Sequence, residues 1–273
     1  MGLIDAHLHL QDSRLAGEFE SILSQLRQAG VTRWVVNGTS PEDWSRVAEI
    51  ASDNPEVIAG YGLHPWSVNS FGLAGLEELE YLLLQDPGAV VGEIGLDKWI
   101  RDHDNELQKK CFLKQLEIAN RLGRSTVIHC LQSWGSLRDC LKEVPPEKPF
   151  LLHSYGGPLE MIGDFLDRGA FFSISGYFFR DDKVKKLAVF DEIPSDRILL
   201  ESDAPDMLPP PELIKLPLAD GVNHPVNLVR IYASYAERVS FPLDEVIAQI
   251  AGNFGNWYQA NARSKADERS VIE

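Results

Sequence analysis

The 273-residue sequence predicts an α/β protein of the (β/α)8 TIM-barrel class, folded as a single domain with additional helices at its C-terminal end. Three observations lead to this prediction. The length suits a closed barrel, which typically needs about 250 residues. Short apolar runs alternate with longer amphipathic segments, as in parallel sheets with crossover helices. Histidines and acidic residues stand where the apolar runs end, and barrels collect their catalytic groups at that rim.

The strands are predicted from runs that are rich in Val, Ile and Leu. Their eight predicted spans, in chain order, are Leu3–Leu10, Trp34–Asn37, Val57–Leu63, Ala89–Ile94, Ser125–His129, Phe150–Ser154, Ala170–Ser175 and Arg197–Ser202. An open doubly wound sheet built from the same elements is the alternative, because periodicity alone does not separate it from a closed barrel.

The helices are predicted from amphipathic spacing and from start and stop signals. Gly30 ends the first helix, and Ser40-Pro41 starts the second, since Pro favours the first helical position after a Ser cap. The predicted spans are 17–29, a helix from 41 onward, 75–85, 105–122, 133–142, 158–168 and 181–190, then 225–238 and 243–258 beyond the barrel. We expect a barrel domain over 1–262 and a flexible, charged tail over 263–273.

Composition narrows the class of protein. Apolar residues make up 44% and charged residues 25%, the balance of an ordinary globular protein. No apolar run reaches the length of about 18 residues that a membrane helix needs, so no membrane partner is expected. The N-terminus lacks a basic region and a cleavage site, so no signal peptide is predicted. Cys111, Cys130 and Cys140 form no CxxC pair, which argues against disulfides and zinc fingers and favours the cytoplasm.

The net charge of −15 disfavours broad electrostatic adhesion to nucleic acid or to an anionic membrane. It does not exclude a nuclease. Divalent cations in an active site create a local positive field, which overrides the global charge at that place.

Five of the seven histidines fall at predicted strand ends. Alternation puts His7 and His9 on one face of the first strand, the face that would line the barrel interior. A single histidine there is more often a hydrogen-bonded structural group than a ligand. Recurrence at the same end of different strands favours a joint metal site, because imidazole and carboxylate suit Zn²⁺ or Mn²⁺. The other residues of this set are His64, Glu93, His129, His153 and Asp203.

Several motifs together resemble the TatD family of metal-dependent hydrolases, within the amidohydrolase-like barrels. The motifs are DAHLHL, GLHP, VGEIGLD, VIHC, HSYGG, SISGY, ESDAP and NHPVNL, with the helix that carries Gln108 and Gln115. The resemblance runs from Leu3 to about Tyr258. Each motif alone is weak, whereas the combination is specific.

The resemblance implies a dinuclear site for Mg²⁺, Mn²⁺ or Zn²⁺ and cleavage of phosphodiester bonds in DNA, as a deoxyribonuclease of the 3′–5′ exonuclease type. It implies that His7, His9 and Asp203 hold the first ion, that Glu93 bridges, and that His129 and His153 hold the second. His64 is expected near the substrate, where it would stabilise phosphoryl charge. Asp203 is expected to be the general base toward a metal-activated water. No obligate protein partner is predicted.

Three departures from the family pattern bear on the substrate. His224 stands where Glu is common in an N-E-P motif, and Cys130 stands after the ligand histidine where Arg is common. Lys98-Trp99 replaces the aromatic residues usual after GLD.

Outside the predicted ligand set, Asp5 is expected to neighbour a ligand or to orient an imidazole. Ser154 and Tyr155 are candidates for substrate contact, although loop polarity explains them equally well. Other polar and aromatic residues near strand ends have two interpretations. A basic group after the seventh strand could meet phosphates, although a solvated helix face is favoured; three tryptophans could stack on bases or pack as core. The basic group is Arg180, Lys183, Lys185 and Lys186, and the tryptophans are Trp66, Trp99 and Trp134.

Other functions fit the same fold. A related barrel hydrolase acting on a small amide, lactone or phosphoester often carries a modified Lys on its fourth strand, whereas this strand carries Glu93 and no Lys before Lys98. A mononuclear deaminase would leave Glu93 without a clear role. A metal-binding accessory protein with little turnover is the alternative from outside the enzymes.

Overall fold

A computed structural model describes residues 2–102 and 104–258 of the protein. Eight parallel strands hydrogen-bond in sequence order, and this confirms the predicted (β/α)8 barrel. The strands are β1 (Leu3–Leu8), β2 (Val31–Asn37), β3 (Val57–Tyr61), β4 (Val90–Asp97), β5 (Thr126–Leu131), β6 (Phe150–Leu152), β7 (Ala170–Ser175) and β8 (Ile198–Glu201).

The barrel closes where β8 returns to β1. Just beyond β8, the Asp203 amide donates to the His7 carbonyl (3.0 Å), and the His9 amide donates to the Ala204 carbonyl (2.7 Å). These bonds exclude the open doubly wound sheet, in which the first and last strands would not meet.

Helices cover the outside of the strands, whose residues are therefore buried on both faces, as parallel sheets require. They are α1 (Phe19–Gln28), α2 (Pro41–Asp53), α3 (Val68–Phe71), α4 (Leu76–Gln85), α5 (Asn105–Leu122), α6 (Trp134–Glu143), α7 (Ile162–Leu166), α8 (Val184–Leu187), α9 (Leu228–Val239) and α10 (Leu243–Tyr258). Among the described residues, no helix combines the length and the hydropathy needed to cross a bilayer.

The prediction of one continuous helix over 181–190 is wrong. The segment is a single α turn, α8, between short 3-10 turns. Only Leu187 and Phe190 of it are buried, and so small an apolar stripe does not sustain a longer helix. The predicted domain limits of 1–262 and 263–273 stay a prediction, because the tail lies outside the described residues.

The strand ends differ from the predicted ones in a way that shapes the site. β4 and β5 run on together to the pairs Gly95–His129 and Asp97–Leu131. Gly95 has a φ of +155°, and a Cβ at this position would overlap the His129 carbonyl oxygen. This close approach, which only glycine permits, brings the end of β4 against the end of β5.

At the other end of β1, a side chain takes the place of sheet bonds. The Tyr232 hydroxyl, on α9, accepts from the Ile4 amide (3.1 Å) and donates to the Ile4 carbonyl (2.9 Å). Both residues are buried. One hydroxyl therefore satisfies two backbone groups of β1 that would be costly to leave unpaired in the interior.

Replacing Tyr232 with Phe should lower the free energy of unfolding by about 2 kcal/mol, because a buried donor and a buried acceptor lose their partner. Urea unfolding followed by circular dichroism measures this change. Tyr235→Phe, one turn along the same helix, is the matched control, because no hydrogen bond of its hydroxyl is found in the described part of the chain. Equal stability of the two variants would contradict the assigned role.

Candidate metal centre

Glu93 lies at the centre of the imidazole cluster at the carboxyl ends of the strands. Its side chain is 3% exposed, and its two carboxylate oxygens face different partners. Oε2 is 3.3 Å from Nε2 of both His7 and His9. Oε1 is 3.0 Å from Nδ1 of His129 and 2.8 Å from Nε2 of His153. One carboxylate thus joins two pairs of imidazoles that come from opposite sides of the barrel.

Asp203 lies beside the first pair of imidazoles, those of His7 and His9. Its Oδ1 is 3.4 Å from His7 Nε2 and 3.8 Å from His9 Nε2, and those two ring nitrogens are 3.1 Å apart. Asp203 has a φ of +52°, a left-handed conformation that Asp tolerates better than most residues. The turn after β8 therefore aims this carboxylate back over β1.

His64 lies beside the second pair of imidazoles, those of His129 and His153. Its Nε2 is 3.4 Å from Glu93 Oε1, and its ring meets that of His129 edge to face, with centroids 4.6 Å apart. His64, Glu93 and His129 place ligand atoms close enough to share a single ion. The histidine expected near the substrate thus lies directly beside the ligand set.

The spacing of these atoms suits divalent cations. Two ligands of a tetrahedral ion with bonds of about 2.0–2.1 Å lie about 3.3–3.4 Å from each other. The contacts of Glu93 with the four imidazoles of His7, His9, His129 and His153 span 2.8–3.3 Å. Imidazole nitrogen and carboxylate oxygen are also the donors that Zn²⁺ and Mn²⁺ accept. The residues present therefore fit a site for such ions.

A second layer of polar groups holds the imidazoles. The side-chain amide nitrogen of Asn37 contacts His7 Nδ1 (3.0 Å), and the backbone carbonyl of Asn37 contacts His9 Nδ1 (2.8 Å). Asp97 Oδ2 lies 3.0 Å from His129 Nε2. An acceptor such as the Asn37 carbonyl or the Asp97 carboxylate fixes the orientation of a metal-binding ring and raises its basicity.

Glu201 has a similar place beside the sixth strand. Its Oε1 accepts from the Ser154 amide (2.9 Å) and hydroxyl (2.5 Å), and it lies 3.7 Å from His153 Nδ1. The bonds of Ser154 to a buried carboxylate favour the structural interpretation of this residue over substrate contact.

Two glutamines of α5 hold the strand ends in place. Gln115 accepts from the Leu63 amide (2.7 Å) and donates to the Leu63 carbonyl (3.2 Å). Gln108 makes the same pair of bonds with the backbone of Asp97 (2.9 and 3.0 Å). These roles were not predicted from the sequence. The signal was two glutamines seven residues apart, hence on one face of a helix that is otherwise apolar there.

Burial and crowding set the protonation of the cluster. Burial alone would raise the pKa of Glu93, but the neighbouring imidazoles, above all that of His153, hold it well below its usual range. Burial lowers the pKa of His7 to about 4. Burial opposes the charge on His9, yet Glu93 and Asp203 outweigh this and raise its pKa to about 9. The imidazoles around the central carboxylate therefore favour its ionised form.

Asp5 does not orient an imidazole. Its carboxylate accepts from the Ser202 amide (2.9 Å) and hydroxyl (2.5 Å), and only the His7 backbone amide approaches it, at 3.4 Å. Burial raises the pKa of Asp5 to about 7. Of the two expectations for Asp5, contact with an imidazole is not found among the described residues, whereas the carboxylate does neighbour the backbone of the predicted ligand His7. Through Ser202 it links β1 to the segment that leads into Asp203.

The three tryptophans near strand ends separate into two kinds. Trp134 is half-buried and packs edge to face on Tyr155, with centroids 4.7 Å apart. Tyr155 is itself buried and donates to the Pro158 carbonyl (2.8 Å), so its expected substrate contact is wrong. Trp66 and Trp99 are instead 55% and 62% exposed.

The basic group after β7 is largely engaged with nearby groups. Lys183 lies 3.0 Å from Asp182 and 4.9 Å from the centre of the Tyr177 ring, and Arg180 also pairs with Asp182. Lys186 donates to a backbone carbonyl. These contacts favour the interpretation as a solvated surface.

The departures at His224 and Cys130 are explained by packing. His224 Nδ1 accepts from the Val226 amide (3.0 Å) and its Nε2 contacts Gln25 (2.7 Å), so the residue caps the turn before α9. Burial lowers the pKa of His224 to about 4. Cys130 is buried in β5, and burial raises the pKa of its thiol.

Comparison with known proteins gives the family of the chain. Residues 4–259 match the family described as TatD related DNase. An uncharacterised metal-dependent hydrolase of Escherichia coli (strain K12), YjjV, is 29% identical over 92% of this chain and 95% of its own. A protein of Edwardsiella piscicida named 3′–5′ ssDNA/RNA exonuclease TatD is 27% identical over 76% of this chain and 81% of its own.

The solved structures agree with this result. The crystal structure of YjjV, a TatD homologue from Escherichia coli K12, superposes with a TM-score of 0.87 at 27% identity and covers 94% of this chain and 98% of its own. Since the family match extends over nearly all of the barrel, the chain belongs to the TatD related DNase family and is a metal-dependent hydrolase of that family.

Proposed function

We propose that this protein hydrolyses phosphodiester bonds in DNA as a 3′–5′ exonuclease, with two divalent cations held in the imidazole cluster. The observation that carries the proposal is the position of Glu93. Each of its oxygens faces its own pair of imidazoles, His7 with His9 and His129 with His153. A carboxylate so placed is suited to bridge two ions.

In this proposal His7, His9 and Asp203 would hold the first cation, His129 and His153 would hold the second, and Glu93 would be shared by both. When bound, a pair of divalent cations of the Mg²⁺, Mn²⁺ or Zn²⁺ type lowers the pKa of water and neutralises charge on phosphoryl oxygens.

Asp203 is the proposed general base. Its side chain is 9% exposed, whereas that of Glu93 is 3% exposed and surrounded by imidazoles. Asp203 is therefore the better placed of these two carboxylates to take a proton from water at the mouth of the site. His64, beside the second pair of imidazoles, is proposed to donate a hydrogen bond to a phosphoryl oxygen as charge develops there.

The substrate is proposed from the relatives and from the chemistry of the site. A relative matched over most of its length is named as a 3′–5′ exonuclease of single-stranded DNA and RNA. All three cysteines are free and buried, which supports a reducing compartment such as the cytoplasm.

The competing functions fit the site less well. β4 carries no Lys between Val90 and Asp97, so a hydrolase bridged by a modified Lys is disfavoured. A deaminase with one ion needs only one set of metal ligands. Here Glu93 contacts imidazoles through both of its oxygens, which favours two sets of ligands that share it.

The direct test is hydrolysis of 3′-labelled and 5′-labelled single-stranded DNA by protein reloaded with Mg²⁺, Mn²⁺ or Zn²⁺. Shortening from the 3′ end is expected. Glu93→Gln keeps the size of the side chain but removes its charge, and it should lower kcat by at least about 100-fold, since even outer-shell partners of metal ligands are worth 10- to 100-fold. Circular dichroism verifies the fold of the variant, and near-normal turnover by the folded variant refutes the bridging role.

Metal content provides a separate test. Elemental analysis of the reloaded wild-type protein should find two ions per chain, and His129→Asn should reduce this number because it removes one ligand of the second cation. Metal at about 100 times its dissociation constant should stabilise the fold by about 2.7 kcal/mol for each ion bound, measured by thermal unfolding. A stoichiometry of one in the wild type would favour the single-ion alternative.

Asp97→Asn tests the second layer. The variant weakens the support of His129, so metal affinity or kcat should fall by about 10- to 100-fold. Asp139→Asn, at a side chain 68% exposed on α6, is the control and should behave as the wild type. Equal behaviour of the two variants in a competition titration against a chelator would show that Asp97 does not support His129.

A further inference from the structure

The barrel carries six tryptophans, and only two of them are exposed. Trp34, Trp44 and Trp257 are buried, and Trp134 is half-buried. The two exposed ones, Trp66 and Trp99, follow β3 and β4 on the rim that carries the imidazole cluster. Their place on this rim, rather than their exposure alone, makes both rings available to a ligand bound at the imidazole cluster.

Trp66 is held against the cluster. Its ring meets that of His64 edge to face, with centroids 5.2 Å apart at 86°. Its indole Nε1 donates to Asp97 Oδ2 at 2.7 Å, and the same oxygen lies 3.0 Å from His129 Nε2. The orientation of the exposed ring is thus fixed relative to two histidines of the site.

Trp99 is attached to the same carboxylate. Its backbone amide donates to Asp97 Oδ1 at 2.6 Å, so Asp97 connects both tryptophan positions with His129. A carboxylate that is completely buried and uses both oxygens in this way leaves little freedom to the loop after β4. The loops after β3 and β4, which carry these two aromatic residues, are therefore both bonded to Asp97.

We propose that Trp66, together with Trp99, forms a stacking surface for the bases of a single-stranded nucleic acid next to the hydrolytic site. The inference rests on the proposed function and adds to it the part that recognises bases. Every base has a flat aromatic face, so stacking suits an enzyme that must accept any sequence. A rigid ring beside His64 also positions the nucleotide adjoining the scissile phosphodiester bond.

The kinetic test compares two substrates of equal length, an oligothymidine and an abasic oligodeoxynucleotide. Trp66→Ala should raise the ratio of KM for the oligothymidine to KM for the abasic oligomer by about 5- to 150-fold, the range that stacking on one base supplies, because loss of the Nε1 bond to Asp97 affects both substrates alike. Trp66→Phe keeps an aromatic ring and should restore part of the affinity. Phe241→Ala, at a ring 59% exposed between α9 and α10, is the control and should change neither.

A binding test does not depend on turnover. A phosphorothioate-linked oligothymidine, added to the metal-loaded protein, should protect tryptophan emission from quenching by acrylamide. The double variant Trp66→Phe, Trp99→Phe should show no protection, because the remaining tryptophans are buried or half-buried.

The outcomes separate the two proposals. If the wild-type protein cleaves neither oligomer but is protected by the oligothymidine, the proposed function fails and the stacking surface stands. If both oligomers are cleaved with equal KM and acrylamide quenching is unaffected, the stacking surface is refuted and the hydrolase stands. An equal rise in KM for both oligomers in Trp66→Ala also refutes stacking, because it would show that Trp66 acts only by positioning His129 through Asp97.

Discussion

A buried carboxylate determines how the centre of this protein is arranged. Removing the Glu93 charge from water is costly, and the cost is offset only by groups that carry or attract positive charge. His7, His9, His129 and His153 lie within 3.3 Å of its two oxygens and supply these partners. No single strand could do so, because the four imidazoles come from three strands on different sides of the barrel. The site therefore requires the closed barrel.

The surrounding structure serves this arrangement by limiting the motion of each ring. Asn37 and Asp97 hold imidazoles directly, while Gln108 and Gln115 hold the backbone from which neighbouring residues project. Gly95 lets β4 approach β5 closely enough for Glu93 to reach His129. Fixed donors and carboxylates of this kind need little reorganisation during a reaction, which is how a preorganised site stabilises developing charge.

Much of the fold was predictable because its signals are local. β-Branched runs predicted all eight strands, and the ends of β7 were predicted to the residue, Ala170–Ser175. Other boundaries moved because pairing decides them: β4 continues to Asp97 since β5 offers it partners that far. The segment near Leu187 failed as a long helix because its amphipathic pattern has too few buried contacts in the assembled fold.

Strand alternation and the common rim of parallel strands can be inferred from the order of the residues, and they were enough to place His7, Glu93 and Asp203 at one end of the barrel. The partner of each polar group there depends on how the strands and helices pack. Asp5 looked like a partner for an imidazole and instead bonds Ser202, because that contact depends on how the last strand docks against the first. Alternation along a strand is a property of the local backbone, whereas hydrogen-bond partners are chosen by packing between residues distant in sequence.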